Sequence, residues 1–446
     1  MKERVNVIGL GLAGSEAVYQ LAKRGILVDA YEMKPTKFSP AHESSNFAEI
    51  VCSNSFKSDL LSTASGCLKA EMRELDSFIL KCADQVKVPA GSALAVDRNK
   101  FSELVTNELK KLENVTFHYE EVAKIDLSVP TIIATGPLTS DALSEEIRNL
   151  IGSDNLHFYD ASAPIVDGET LDLSRTFTAG RYGKGESDYI NCSMNKEEYY
   201  AFIDELVKAE KVELHDFEKS EIFDGCMPVE VMASRGVDTL RYGPLRPVGL
   251  IDNDGKKPFA VVQLRRETTE GELYNIVGFQ TNLKFGEQKR VFSMIPALKN
   301  ADFVKYGVMH RNSYICAPKH LNFDFSVKGF DNLYIAGQLS GVEGYMESTA
   351  SGLVAGVALA NKILGKTIAI IPKTTIIGAI INYLISAEAK GFQPMNANFG
   401  ILPELQEKIK DKALKKLAYS NRAIEDIRAY KENNLWLNLE ARQSLV

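Results

Sequence analysis

Cysteine is scarce and scattered in this sequence. Six residues, Cys52, Cys67, Cys82, Cys192, Cys226 and Cys316, show neither a CxxC pair nor zinc-ligand spacing. This excludes a secreted disulfide framework and gives no expected metal site, so the thiols read as reduced. Long apolar runs are also missing. The most membrane-like stretch, Ile368 to Ile385, is interrupted by Pro372, Lys373 and Asn382, so no bilayer span is expected. The apolar residues near the N-terminus read as a strand of a folded unit rather than a signal peptide, and the expected location is the cytoplasm. No charge sign is in great excess. A net charge of −7 excludes a surface that coats nucleic acid all round, but leaves room for a local basic groove. No repeat or low-complexity tract is present. With 45% hydrophobic and 25% charged residues the chain is globular, and its 446 residues predict two domains.

What is present begins at once. Val5 to Ile8 is a buried-strand run, followed by Gly9-Leu10-Gly11-Leu12-Ala13-Gly14. A helical pattern runs from Ser15 to Arg24, Gly25 stops it, and Ile26 to Tyr31 reads as a second strand ending in Glu32. Gly9 permits the tight turn, Gly11 lets backbone approach a pyrophosphate, and Gly14 lets helix and strand pack closely. The helix start offers N–H groups to phosphate, and Glu32, 18 residues past Gly14, is placed to accept from ribose hydroxyls. A further apolar strand, Val129 to Ala134, ends in Thr135-Gly136-Pro137. Late in the chain Asn332 to Gln338 reads as a strand ending at Gly337, leading through Gly341 and Gly344 into a small-residue helix from Ala350 to Ala360. That late strand, glycine and helix point to FAD, with a helix N-terminus aimed at the ribityl chain and flavin ring.

The fold class predicted is α/β: a Rossmann-like, glutathione-reductase-like FAD-binding domain made of residues 1–165 and 312–446, with a smaller α+β domain, 166–311, inserted. Segments such as Ala260 to Leu264 and Leu273 to Phe279 suggest a mixed sheet in the insertion, beside a helix from Lys196 to Ala209. From Cys226 to Arg311 there are 13 Lys/Arg and 9 Asp/Glu, a balance of +4, the right sign for a groove that receives a phosphate backbone. The helical tail from Leu405 to Tyr430 starts with Lys408, Lys410, Lys412, Lys415 and Lys416, which read as a solvated face. Two thiols lie in loop-like settings: Cys52 in Glu49 to Ser55, and Cys226 between Gly225 and Met227-Pro228. Either could be a small buried hydrophobe, or a thiolate nucleophile if a helix end or a cation lies close.

Blocks spread almost end to end resemble the bacterial folate- and FAD-dependent tRNA (uracil-5-)-methyltransferase family. They include VNVIGLGLAGSEA (5–17), SPAHESSNFAEIVCSNSFKSD (39–59), VPAGSALAVDR (88–98), FDGCMPVEVMASRG (223–236), PFAVVQLR (258–265), AGQLSGVEGYMESTASGLVAG (336–356) and GFQPMNANFG (391–400). The resemblance implies methylation of carbon 5 of a T-loop uridine in tRNA. Methylenetetrahydrofolate is the carbon donor, FAD the mediator and NADH or NADPH the reductant. It implies Cys226 as the thiolate that adds to carbon 6 of the base, and Cys52 as the acid–base partner that removes the carbon 5 proton. Tyr345 and Glu343 are implied at the flavin ring, with Gln338, Gly344 and Ser348 lining the approach. His310 is a candidate to stack on the pterin or a histidine satisfied in the core, and Arg311 a candidate for the folate glutamate or an RNA phosphate. The partner is RNA, not DNA or membrane. The same chemistry on 23S rRNA, a non-catalytic flavin-carrying RNA-binding protein, and a dehydrogenase of a small metabolite remain as alternatives. The two intact thiols weigh against the non-catalytic reading.

Overall fold

A computed structural model describes residues 4–152, 156–181, 189–212, 227–268, 271–367 and 369–434, without the side chains of 156–161 and 309–311. The chain starts as strand β1 (Arg4–Ile8), helix α1 (Leu12–Lys23) and strand β2 (Leu27–Tyr31). β1 and β2 pair in parallel, with Val5 opposite Val28 and Ile8 opposite Tyr31. Three more short strands complete a five-stranded parallel sheet: Val115–His118 beside β2, Thr131–Ile133 on the other side of β1, and Leu333–Ile335 at the edge. Val5, Val7, Ile132 and Ile335 are fully buried, as a parallel sheet covered on its faces requires.

The helix Tyr345–Ile363 packs against α1. The contact depends on missing side chains: a Cβ on Gly352 would lie 2.1 Å from the Ala13 carbonyl oxygen, and one on Gly356 would lie 3.0 Å from Ala17 Cα. Small residues therefore let the two backbones meet, and both helices begin at the same end of the sheet.

A second sheet has six strands in the order Thr176–Thr178, Tyr189–Met194, Ala260–Arg266, Leu273–Ile276, Ile165–Asp167 and Phe303–Lys305, with antiparallel neighbours throughout. Helices Lys196–Lys208 and Phe285–Phe292 cover it, burying Tyr199, Phe202 and Phe292. One hydrophobic cluster draws on residues 5–147 and 314–430, and another on 163–301. An antiparallel ribbon of Leu156–Ala161 and Met309–Tyr314 carries the chain between them.

Several boundaries differ from the sequence expectation. α1 starts at Leu12 rather than Ser15, because Gly11 is its N-cap and Gly14 belongs to its first turn. The late helix starts at Tyr345 rather than Ala350, directly after Gly344. The tail helix starts at Lys412 rather than Leu405, since Asp411 caps it by accepting from the Ala413 and Leu414 amides. Its early lysines, Lys412, Lys415 and Lys416, are exposed. The apolar stretch near 376 is an 11-residue helix, Ile376–Ser386. Among the described residues no helix is long and apolar enough to cross a membrane.

Candidate active site

A cleft opens where β1, Thr131–Ile133 and Leu333–Ile335 end and the two glycine-entered helices begin. Of the expected cofactor residues, Gly9, Gly11, Leu12, Ala13, Glu32, Thr135, Gly136, Gly337, Gln338, Tyr345 and Ser348 line it. Leu10, Gly14, Glu343 and Gly344 do not, and they act behind the wall. A Cβ on Gly14 would stand 1.8 Å from Gly9 O, so Gly14 is what lets α1 close on the turn. Glu343 is buried and accepts from Gln338 Nε2 at 2.6 Å, which fixes the amide that does face the cleft.

The wall fits a dinucleotide. Gly9, at φ +90°, lies so close to Thr135 that a Cβ would fall 2.7 Å from its Cα. A Cβ on Gly11 would meet nothing within 4 Å and would project into free space. α1 has no side-chain cap, so its first-turn N–H groups stay available to an anion. Glu32 also braces the wall, accepting from Leu10 N at 3.0 Å and from Lys34 N at 3.2 Å and so tying the glycine turn to the end of β2. The second helix start carries an acidic side chain in its first turn. The Glu347 carboxylate sits against it, 2.3 Å from where a Gly344 Cβ would be, and accepts from Ala397 N at 2.9 Å. An acid of the helix's own first turn therefore lies beside its N-terminus, held by the Ala397 amide and 3.7 Å from Lys57 Nζ. The GFQPMNANFG block supplies this support, with Met395 also bonded to Gly341 and Glu343.

Cys52 lies in the cleft wall, half-buried, and Tyr345 holds it. The Tyr345 hydroxyl oxygen accepts from the amides of Val51, at 3.1 Å, and Cys52, at 3.0 Å, and lies 2.8 Å from Cys52 Sγ. Two N–H groups occupy the oxygen's lone pairs, so its own proton points to sulfur and favours the thiolate. Burial first, then the neighbouring sulfur, holds the Tyr345 phenol well above its ordinary range, so it stays a donor. The other described cysteines are buried free thiols; burial raises Cys82 and Cys192 to about 12.

Cys226 lies outside the described residues. The helix just after it, Val229–Ser234, is tied down. Val229 N donates to Gln280 O at 2.7 Å, and buried Glu230 accepts from Thr281 Oγ1 at 2.9 Å and Asn282 N at 2.8 Å. His310 and Arg311 sit in the ribbon strand opposite Asp160 and Tyr159, and their side chains lie outside the described residues. The next residue, buried Asn312, reaches the cleft. Sequence reasoning missed the charged groups behind the Cys52 loop: Arg98, Arg265 and Glu267. The first two close the VPAGSALAVDR and PFAVVQLR blocks, which was the available signal. Among the described residues, no cluster of His, Cys, Asp or Glu could hold a metal ion.

Comparison with known proteins places the chain. The family described as "Glucose inhibited division protein A" matches residues 4–367. The methylenetetrahydrofolate–tRNA-(uracil-5-)-methyltransferase TrmFO of Lactobacillus johnsonii is 55% identical over 433 residues, covering 97% of this chain and 99% of that protein. The protein of the same name from Acetivibrio thermocellus is 54% identical over 431 residues, covering 96% and 99%. Among solved structures, Aquifex aeolicus GidA in its form II crystal superposes with a TM-score of 0.71 at 17% identity, covering 99% of this chain and 75% of that one; this is a likeness of fold.

Proposed function

The chain belongs to the glucose inhibited division protein A family, and from that footing we propose that it methylates carbon 5 of a uridine in the T loop of tRNA. Methylenetetrahydrofolate is the carbon donor, and NADH or NADPH the reductant. The observation that carries the reading is Cys52, placed in the wall of the dinucleotide cleft with the Tyr345 hydroxyl 2.8 Å from its sulfur. Gly9, Gly11, Leu12, Ala13, Glu32, Thr135, Gly136, Gly337, Gln338, Tyr345 and Ser348 would hold FAD there. Bound FAD supplies one-carbon relay and hydride chemistry.

The residues of the chain do the rest. Cys226, as thiolate, adds to carbon 6 of the base, which places electron density on carbon 5 and makes it the attacking atom. Once carbon 5 has gained its new bond, Cys52 removes the remaining carbon 5 proton, and the carbon 6–sulfur bond breaks to return the Cys226 thiolate. Residues 166–311, which hold nearly all of the second sheet, act as an inserted domain that presents the Cys226 segment to RNA, and the enzyme works in the cytoplasm.

The test is incubation of the protein with unmodified tRNA transcript, labelled methylenetetrahydrofolate and NADH, followed by nucleoside analysis, with 23S rRNA run in parallel. Labelled 5-methyluridine in tRNA is expected. Cys226→Ala should abolish it while the protein stays yellow; activity at the parent level in that variant refutes the nucleophile.

A further inference from the structure

Two buried charges, Arg265 and Glu267, and the part-buried Arg98, whose side chain is 15% exposed, meet behind the Cys52 loop, and the mechanism above uses none of them. Arg98 opens the helix Arg98–Lys110, whereas Arg265 and Glu267 belong to the end of strand Ala260–Arg266 in the second sheet. Arg98 Nη1 donates to Ile50 O and Val51 O, both at 2.8 Å, and its Nε to Glu267 Oε2 at 3.0 Å. Arg265 donates through Nε to Asn54 Oδ1 and through Nη2 to Ser53 Oγ, both at 2.8 Å. Asn54 completes the clamp by donating to Val96 O at 3.0 Å and Arg266 O at 2.8 Å. Four residues around Cys52 are thus gripped by arginines from both sides.

The charge balance is the informative part. Two guanidinium groups face one carboxylate, whose side chain is 3% exposed and whose Oε1 has no hydrogen-bond partner among the described residues. A buried excess of one positive charge is costly unless an anion lies near. The thiol in the gripped loop can be that anion. We propose that the Arg98–Glu267–Arg265 triad is a positioning device for Cys52. Its net positive charge holds the sulfur ready as thiolate, and Glu267, supplied by the second sheet, moderates it. The inference rests on the acid–base role given to Cys52 above.

Among the described residues, other groups lining the cleft around the thiol do not supply this charge. Tyr345 is neutral, and Tyr189 lies near Arg265 and donates to Ala90 O. Glu49, His42 and Lys34 line the same cleft, with Lys34 Nζ 3.4 Å from Glu49 Oε2. The Arg98 guanidinium is held above its ordinary range even though burial works against it, because Glu267, Tyr345 and Cys52 lie close.

The test uses the flavin-loaded full chain and measures the rate of iodoacetamide alkylation against pH, read at the Cys52 peptide by mass spectrometry. Arg98→Gln should move the titration midpoint up, cutting the rate near pH 7 roughly tenfold, one pKa unit's worth. Glu267→Gln should move the midpoint down and raise the rate near pH 6 severalfold, and the double variant should return towards the parent. A purely structural clamp would move both single variants the same way, or neither, and either result overturns the proposal. Should Arg98→Gln not fold, Glu267→Gln decides alone: an unchanged or upward midpoint is refutation. Alkylation needs neither RNA nor folate, so a failure of the methylation reading is seen separately, as absence of 5-methyluridine from the parent protein.

Discussion

Gly11 and Gly14 sit three residues apart in one glycine turn, yet the structure gives them opposite costs on substitution. Gly11 has φ −68° and ψ −163°, extended backbone that any residue adopts, and its added Cβ would meet nothing within 4 Å. Gly11→Ala should therefore leave the flavin-free protein as stable as the parent, within about 0.5 kcal/mol. The new methyl instead occupies space beside the first turn of α1, where a pyrophosphate must approach. Losing two hydrogen bonds to a charged acceptor, at about 1.5 kcal/mol each, weakens FAD binding by about 3 kcal/mol, roughly a hundredfold in Kd. Gly14→Ala drives its Cβ to within 1.8 Å of Gly9 O, a backbone atom that cannot swing away. Its cost falls on folding and reaches the top of the usual overpacking range, about 3 kcal/mol. Urea unfolding of the flavin-stripped proteins reads the first quantity, and calorimetric titration with FAD reads the second. Parent-like FAD affinity in Gly11→Ala, or equal loss of stability in both variants, would refute the assignment of separate roles.

Other expectations follow from buried polar groups. Glu71 is buried and caps helix Ile376–Ser386 by accepting from the amides of Ile376, at 2.7 Å, and Ile377, at 2.9 Å. Burial raises its carboxyl from 4.5 to about 8 against the pull of those amides. The folded state thus keeps a proton that the unfolded chain gives up, and stability should fall as pH rises from about 5 to 8. In Glu71→Gln that slope should flatten in urea midpoints measured across the same range; an unchanged slope contradicts the assignment. Tyr345→Phe keeps the ring that meets Phe56 edge-on at 5.9 Å but removes the hydroxyl from two amides and from Cys52 Sγ. Flavin should stay bound while methylation drops about tenfold or more, in line with one charge-assisted hydrogen bond; unchanged turnover is the contrary outcome. Glu230→Ala should release the segment that follows Cys226 and lower stability by about 1–3 kcal/mol through unpaired Asn282 N and Thr281 Oγ1. Parent-like thermal unfolding of that variant would contradict the anchor.

The dinucleotide turn was legible because its constraints are local. Gly9 and Gly14 each answer to atoms a few residues away or to a strand that the apolar pattern also marks, and Gly9, Gly11, Gly136 and Gly337 line the cleft. Boundaries were less legible because glycines were taken as loop markers. Gly14, read as part of the turn, is a helical residue whose lack of Cβ lets α1 close on Gly9 O. The surroundings of Cys52 were the least legible. Its loop position was visible, but the residues that hold it come from positions 98, 265, 267 and 345, and no periodicity links these. Glu32 and Glu343 were read as groups facing a ligand, yet each uses carboxylate oxygens to hold the wall itself. Buried carboxylates commonly carry such double duty, since an oxygen left unpaired away from water is costly.

The second sheet joins the two thiol segments mechanically. Strand Ala260–Arg266 leads to Arg265 and Glu267, which grip the loop around Cys52. Its partner, Leu273–Ile276, runs into Gln280, Thr281 and Asn282, which hold the helix just after Cys226. The two strands are hydrogen-bonded neighbours, with Leu264 opposite Ile276 and Arg266 opposite Tyr274. One hairpin therefore ends in both grips. If Cys52 and Cys226 act on one base, their separation must be controlled, and a hairpin that reaches both surrounding segments is one route by which the fold can do so. Arg265 and Glu267 of the one grip, and Gln280, Thr281 and Asn282 that anchor the helix after Cys226, thus sit at the ends of the same two strands.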